Sequence, residues 1–223
     1  MGGLLFYDWN TLPFVILALI ISFTVHEWAH AYSAFKLGDN TAYKFGRVSL
    51  NPMVHLDLFG TIMLLLAGFG WAKPVPVNRG NFKRPRLYGI IVTAAGPLSN
   101  LIMAFISLFV LVLCQKYGWL DGMSKGSGDA IIQFLNKMIS INITLFLFNL
   151  IPIPPLDGYR IIQDLVDFRY TEAVQKFEQW ASVIFLLVVF VGPLRRVTLD
   201  PYLGLGNDIL RFFLKWIAKI LGI

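Results

Sequence analysis

The sequence predicts an all-α polytopic membrane protein, and its composition and its apolar segments lead to that fold class. Hydrophobic residues make up 57% of the 223 residues and charged residues only 14%, whereas a soluble domain carries about 25% charged residues. The mean hydropathy is +0.66. So few polar side chains cannot cover a water-facing surface. The composition therefore excludes a soluble domain and favours one membrane domain over residues 1–223.

Four apolar segments are predicted to cross the bilayer, whose hydrocarbon layer is about 30 Å thick. They are residues 11–37, 87–115, 131–151 and 177–194, and the last of these is short for a span. The first three are expected to form a three-helix core, and the fourth is expected to belong to additional helices near the C-terminus.

Three other segments are expected to flank this core. Residues 41–50 alternate in part and contain β-type residues, so we expect a short strand there. Residues 53–70 are apolar but interrupted by glycines, which predicts a re-entrant or β-hairpin segment. In residues 208–222, basic residues recur at four-residue intervals and therefore share one helix face. That pattern predicts either an interfacial amphipathic helix or a last span.

The pattern HEWAH at residues 26–30 carries the chemistry. Two histidines four residues apart lie on one face of a helix, so the imidazoles of His26 and His30 can reach one zinc ion. Glu27 lies one step around the helix, where it can take a proton from a water held by the metal. Polar groups at membrane depth are costly, so their presence inside the first apolar segment favours a functional site.

A catalytic zinc needs a third protein ligand and an open position for water. Asp157 is the best candidate, because it follows the proline-rich sequence NLIPIPP at the end of the span 131–151. Irregular backbone at membrane depth is tolerated where protein or a cavity satisfies its polar groups. From spacing alone, Asp157 is equally explained as the N-cap of the helix that follows it.

The three motifs HEWAH, AGPLSN and NLIPIPPLDG occur in this order in successive apolar segments. Together they resemble the site-2 protease family of intramembrane zinc metalloproteases, and specifically its short bacterial branch without PDZ or CBS domains. The likeness extends over nearly the whole chain, including GWAKPVPVN at 70–78. The resemblance implies one Zn²⁺ per chain, bound by His26, His30 and Asp157, with Glu27 as general base.

Three further polar residues are candidates for the site. Asn149 matches the family's polar residue near substrate and metal, so the resemblance implies a role in holding the substrate or the oxyanion. His55 either lines the site or is a structural histidine at the membrane interface. Asn100 is expected to form a hydrogen bond within the helix bundle.

The ligand set constrains the topology. His26 and His30 lie in the later half of the first span and Asp157 follows 131–151, so these two spans must run in the same direction. One crossing, 87–115, then lies between them, and 53–70 should not cross. Residues 73–86 hold five basic and no acidic residues, and the positive-inside rule makes that side, with the metal, cytoplasmic.

The sequence thus predicts a multi-pass enzyme of the cell membrane that hydrolyses peptide bonds of transmembrane proteins within or near the bilayer. We expect no nucleic-acid partner, because no nucleic-acid-binding motif accompanies the basic run. The alternatives from other classes are a membrane-embedded metal transporter and an inactive relative that binds membrane partners. A protease that cuts soluble peptides at the membrane surface is a closer alternative. The sequence gives no oligomeric state.

Overall fold

The computed structural model describes residues 8–67, 70–166 and 171–223, and within these ranges the chain forms ten α-helices. They are α1 (Leu12–Lys36), α2 (Thr41–Lys44), α3 (Leu58–Ala67), α4 (Pro85–Lys116), α5 (Lys125–Asn149), α6 (Asp157–Leu165), α7 (Thr171–Phe190), α8 (Gly192–Val197), α9 (Leu199–Gly204) and α10 (Gly206–Leu221). Short 3₁₀ helices occupy Pro52–Val54 and Arg79–Asn81.

The helices α1, α4 and α5 are the elements that can cross a membrane. They have 25, 32 and 25 residues, and among the described residues they alone are both long and apolar enough. Helix α4 packs against both of the others, and α1 also packs against α5. This three-helix core confirms the predicted fold class.

The strand expected over residues 41–50 is wrong. Residues Thr41–Lys44 form the single-turn helix α2, and the backbone N–H groups of Lys44 and Arg47 donate to the carbonyls of Asn40 and Ala42. The partial alternation suggested a strand with one buried face. A single helical turn meets the same need, because it buries Ala42 against Ala31 of α1.

The predicted re-entrant segment 53–70 contains α3, and its residues 68–69 lie outside the described residues. Ten residues of helix extend about 15 Å, roughly half of the hydrocarbon layer. An antiparallel bridge joins Leu56 to Ala72, and the N–H of Lys73 donates to the carbonyl of His55 at 2.8 Å. The residues before and after α3 therefore lie side by side, which supports a segment that does not cross the membrane. Its place in the membrane remains a prediction.

The C-terminal helices pack on the core. In α10, Phe213 and Ile217 are buried among side chains of α4 and α5. The Phe213 ring meets Phe105 at 5.1 Å, and the Lys116 ammonium donates to the carbonyl of Leu221. Helix α10 therefore runs parallel to α4. With 16 residues it is not among the helices long and apolar enough to span, so its place at the interface or across the membrane stays a prediction. Whether 177–194, most of which lies in α7, crosses the membrane remains a prediction.

Candidate metal centre

Three side chains that the sequence places far apart converge at one point. The Nε2 atoms of His26 and His30, one turn apart on α1, are 3.1 Å from each other. The Oδ2 atom of Asp157 is 3.2 Å from each of them. All three residues are at least nine-tenths buried, and among the described residues they form a group able to hold a metal ion.

A hydrogen bond at the Nδ1 atom of each histidine leaves the Nε2 atom to face the point where the three side chains meet. The Nδ1 atom of His26 is 2.6 Å from the Asn100 side-chain oxygen, and that of His30 is 2.8 Å from the Val92 carbonyl. Both partners accept hydrogen bonds, so each Nδ1 carries the proton and donates. The Nε2 lone pairs of both imidazoles are then free and face the carboxylate of Asp157.

This donor set fits a zinc ion. Two lone pairs and a carboxylate oxygen lie within 3.2 Å of one another, and with both protons on Nδ1 no hydrogen remains to separate them. Tetrahedral zinc with bonds of about 2.0–2.1 Å places its ligand atoms about 3.3–3.4 Å apart. Two imidazoles and one carboxylate also form a usual protein ligand set for a catalytic zinc.

The backbone around α6 brings Asp157 to the histidines. Leu156 is the N-cap of α6 and no side chain caps the helix, so the capping alternative does not describe Asp157, whose carboxylate points to the imidazoles. A Cβ atom on Gly158 would lie 2.2 Å from the carbonyl oxygen of Leu150. Only glycine therefore lets the first turn of α6 pack so closely on the turn that ends α5.

Helix α4 lies against the ligating nitrogens because it has no side chain at Gly96. A Cβ atom there would lie 2.3 Å from the His30 Nε2 atom and 2.7 Å from that of His26. Pro97 follows within the helix. The motif AGPLSN thus provides both the space for the two imidazoles and, through Asn100, a hydrogen bond to one of them.

The candidate ligands line a cavity of about 1030 Å³ between α1, α5, α6 and the segment that follows α3. Glu27, at 9% exposure, lines the same cavity. Asn149 also lines it, half-buried, and its side-chain NH₂ donates to the carbonyl of Leu145 at 3.0 Å. The structure therefore brings both residues to the wall on which the ligands lie.

His55 does not line this cavity. Its ring is fully buried, and its Nε2–H donates to the carbonyl of Ser49 at 2.7 Å. Burial lowers the pKa of His55, and the hydrogen bond to Ser49 and the charge of Glu27 only partly offset this. The geometry corresponds to the structural alternative, with a neutral ring.

A buried cation fixes the segment that walls the cavity. The Arg47 guanidinium, 5% exposed, donates through Nη2 to the carbonyls of Lys73 and Pro74 at 3.2 and 2.9 Å. Together with the bridge from Leu56 to Ala72, these contacts hold residues 72–75 in an extended course. That course places Ala72, Pro74 and Val75 on the cavity wall.

Sequence reasoning expected the hydrogen bonds of Asn100 within the bundle but missed the other supports of the candidate ligands, although one signal was present. Asn142 lies in the middle of an apolar span, where a polar amide is costly. It contacts Asn100 and Ser22, and these three fully buried residues come from three different helices. Val92 contributes through its backbone carbonyl. Because any residue has that group, the role of Val92 cannot be predicted from its residue type.

Comparison with known proteins agrees with this site. The model of Peptidase family M50 matches residues 14–192. A protein of Bacillus subtilis (strain 168), named "Putative zinc metalloprotease YwhC", is 51% identical over 214 residues, which cover 96% of each chain. No solved structure matches.

More distant relatives carry the same description. Rip2 of Mycolicibacterium smegmatis is 28% identical over 82% of this chain and 68% of its own. MJ0611 of Methanocaldococcus jannaschii is 29% identical over 70% of this chain and 73% of its own. The family model covers most of the chain and includes both histidines and Asp157. The protein therefore belongs to Peptidase family M50, a family of zinc metalloproteases, as the resemblance to site-2 proteases predicted.

Proposed function

We propose that this protein is an intramembrane zinc endopeptidase that hydrolyses peptide bonds of transmembrane proteins within or near the bilayer. The observation that carries the proposal is the convergence of His26, His30 and Asp157 on the wall of a large cavity that Glu27 also lines. Both histidines belong to a helix that is long and apolar enough to cross a membrane.

One zinc ion per chain would be held by the two imidazoles and the carboxylate. Zinc, when bound, lowers the pKa of a water molecule towards neutrality and polarises a carbonyl group. Glu27 would take the proton from the attacking water as its oxygen bonds to the carbonyl carbon. The same carboxyl group would then deliver that proton to the leaving nitrogen as the peptide C–N bond breaks.

Asn149 is suited to hold the substrate. One donor of its side-chain NH₂ is used by the Leu145 carbonyl, and an amide retains a second donor and two acceptor lone pairs. From the cavity wall, these groups can hydrogen-bond a substrate carbonyl or its oxyanion. A transmembrane substrate must unwind locally, because its helix otherwise protects the amides to be cut.

The basic residues orient the enzyme in the membrane. The segment 73–86, with five basic and no acidic residues, leads into α4, and the first turns of α4 lie at the metal end, since Val92 contacts His30. The positive-inside rule then places this end at the cytoplasmic side of a cell membrane. The substrate class is transmembrane protein in a lipid bilayer, without nucleic acid.

Zinc content and cleavage, measured on the same detergent-purified preparations, test this function. Wild type should hold about one zinc per chain and cut a model single-span substrate within its span. Glu27→Gln should retain the zinc, because Glu27 is not a ligand, and should lose cleavage by about 10²–10⁴-fold. Asp129→Asn removes an exposed carboxylate of α5 and serves as the matched control, with both properties unchanged.

Two results would refute the proposal. Cleavage by Glu27→Gln at the wild-type rate would remove the assigned proton transfer. Wild-type protein that binds zinc but cuts only soluble peptides would show that the substrate class is wrong.

A further inference from the structure

The strongest feature outside the ligand set is a chain of buried side-chain amides that reaches a ligand from behind. It consists of Asn100 on α4 and Asn142 on α5, both 0% exposed. The Asn100 NH₂ donates to the Asn142 side-chain oxygen at 2.8 Å, and the Asn100 oxygen lies 2.6 Å from His26 Nδ1. The chain thus ends on an imidazole that faces the metal site.

Asn142, at the end of this hydrogen-bond chain away from His26, is held in one orientation by a backbone carbonyl. The Asn142 NH₂ donates to the carbonyl of Met138 at 2.8 Å and to the hydroxyl of Ser22 at 2.8 Å. A backbone carbonyl can only accept, so the NH₂ group of Asn142 must face Met138 and its oxygen must face Asn100. The orientation of this amide is therefore determined by chemistry and is not free to flip.

The fixed orientation of Asn142 in turn determines the orientation of Asn100 and the tautomer of His26. Because the Asn142 oxygen accepts, Asn100 must present its NH₂ group to it, and the Ser22 carbonyl at 3.4 Å takes the second N–H. The Asn100 oxygen is then left to face His26. An acceptor at that position requires the proton on Nδ1, which leaves the Nε2 lone pair for a metal.

We infer that Asn142 and Asn100 form a directional hydrogen-bond relay that sets the tautomer and ring orientation of His26, and so the metal affinity. Both are positioning residues, and Asn142 acts only through Asn100. The inference rests on the proposed metal site. It also ties that site to helix packing, because the relay needs α1, α4 and α5 in register.

The satisfied hydrogen bonds argue that the relay is specific. Each amide has two donors, and all four N–H groups of the pair have acceptors, at Met138, Ser22 and Asn142. Buried side-chain amides generally find partners, so where the partners lie says more than how many there are. Here each link except the contact with Met138 crosses between helices.

Zinc affinity, measured by competition with a chromophoric chelator in detergent, tests the relay. Asn100→Leu keeps the branched shape and removes the acceptor, and loss of such a partner lowers metal affinity by about 10–100-fold. Asn142→Leu should lower it less, because the Ser22 carbonyl still holds Asn100. Asn100→Asp retains an acceptor for His26 but sets its second oxygen against the Asn142 oxygen and the Ser22 carbonyl, so its zinc affinity should fall between those of wild type and Asn100→Leu.

A double-mutant cycle separates a relay from general damage to packing. If Asn142 acts through Asn100, then Asn142→Leu should have no further effect on zinc affinity in the Asn100→Leu protein. Ser107→Ala is the matched control, because Ser107 is a buried polar residue of α4 whose hydroxyl donates to the Met103 carbonyl of its own helix. Its zinc affinity should equal that of wild type.

The possible results distinguish the relay from the metal site itself. Two leucine effects that multiply, or an Asn100→Leu protein that is folded by circular dichroism and binds zinc within twofold of wild type, would overturn the relay. If Asn100→Leu does not fold, equal zinc affinities of wild type and Asn142→Leu would overturn it. Failure of wild type to bind zinc would refute the proposed function, and the relay with it.

Discussion

Gly96→Ala should remove the metal without unfolding the protein. The added Cβ atom would lie 2.3 Å from the His30 Nε2 atom, whereas ordinary van der Waals contacts of a Cβ begin at 3.4 Å. The imidazole must therefore retreat by about 1.1 Å, and metal–ligand distances tolerate only about 0.2 Å. Because the Nδ1–H of His30 is held by the Val92 carbonyl, such a retreat also costs a buried hydrogen bond.

The effect on stability should be small and should not account for the loss. Alanine in a helix interior is favoured over glycine by about 1 kcal/mol, and overpacking costs about 1–3 kcal/mol. The two effects offset each other within a few kcal/mol. Zinc affinity, in contrast, should fall by more than about 100-fold, since both ligating nitrogens are displaced.

The assay compares zinc per chain by elemental analysis and thermal unfolding by circular dichroism for wild type, Gly96→Ala and Gly126→Ala. Gly126 lies in α5, and a Cβ atom built there meets no atom within 4 Å among the residues that the structure describes. That control should keep its zinc. Wild-type zinc affinity in Gly96→Ala would show that the two helices can separate at no cost, and the close-packing argument would be wrong.

Two other predictions concern the elements that hold the site. Gly158→Ala places a Cβ atom 2.2 Å from a backbone oxygen of Leu150, and a backbone atom cannot move aside as a side chain can. We therefore expect a loss of about 1–3 kcal/mol in the free energy of unfolding together with weaker zinc binding. Unchanged stability and unchanged zinc affinity would contradict this prediction. The Asp39 carboxylate accepts hydrogen bonds from Thr41, Asn78 and Asn81, and although burial opposes ionisation, these bonds lower its pKa. Asp39→Asn should therefore destabilise the protein by about 2–4 kcal/mol at neutral pH. A lowered pKa gives a contribution that is complete above the ordinary value near 3.9 and is lost as the pH falls through the folded value. The gap in unfolding temperature between wild type and Asp39→Asn should accordingly close below about pH 4, and a gap of constant size would refute the assignment.

The candidate ligands could be predicted from sequence, the two histidines from local chemistry and Asp157 with the help of the resemblance to site-2 proteases. His26 and His30 are spaced by one helical turn within an apolar segment, where polar groups are rare and costly. Asp157 follows a run of prolines that no spanning helix can contain in its interior. For the histidines, the conflict between residue type and surroundings indicates a site without knowledge of the fold, whereas for Asp157 the N-cap explanation stayed equally good until the resemblance was taken into account.

A hydrogen bond of Asn100 within the bundle could be predicted, but its partners and the roles of Asn142 and Val92 could not, because they depend on which helices face each other. Asn142 is 120 residues from Ser22 in the sequence, yet their side chains bond to each other. The strand expected over 41–50 was wrong for a related reason. Burial of Ala42 against α1 and the hydrogen bonds to Asp39 select a helical turn, and neither is visible in the local alternation of residues.

The spacing of AGPLSN on α4 follows from the spacing of the histidines on α1. The two helices run in opposite directions here, since His30 contacts Val92 while His26 contacts Asn100. Val92, Gly96 and Asn100 recur every four residues and so share one face of α4. The two outer positions accept from the Nδ1 atoms, and the glycine lies midway, where the Nε2 atoms meet.

This arrangement makes the helix register part of the metal site. A slip of α4 by one residue would rotate its face by about 100° and would remove both acceptors at once. It would also bring Ala95 or Pro97 to the position of Gly96, against the imidazoles. The close approach at Gly96 and the two hydrogen bonds therefore exclude the neighbouring registers, so that the contacts that orient the ligands also determine how α1 and α4 pack.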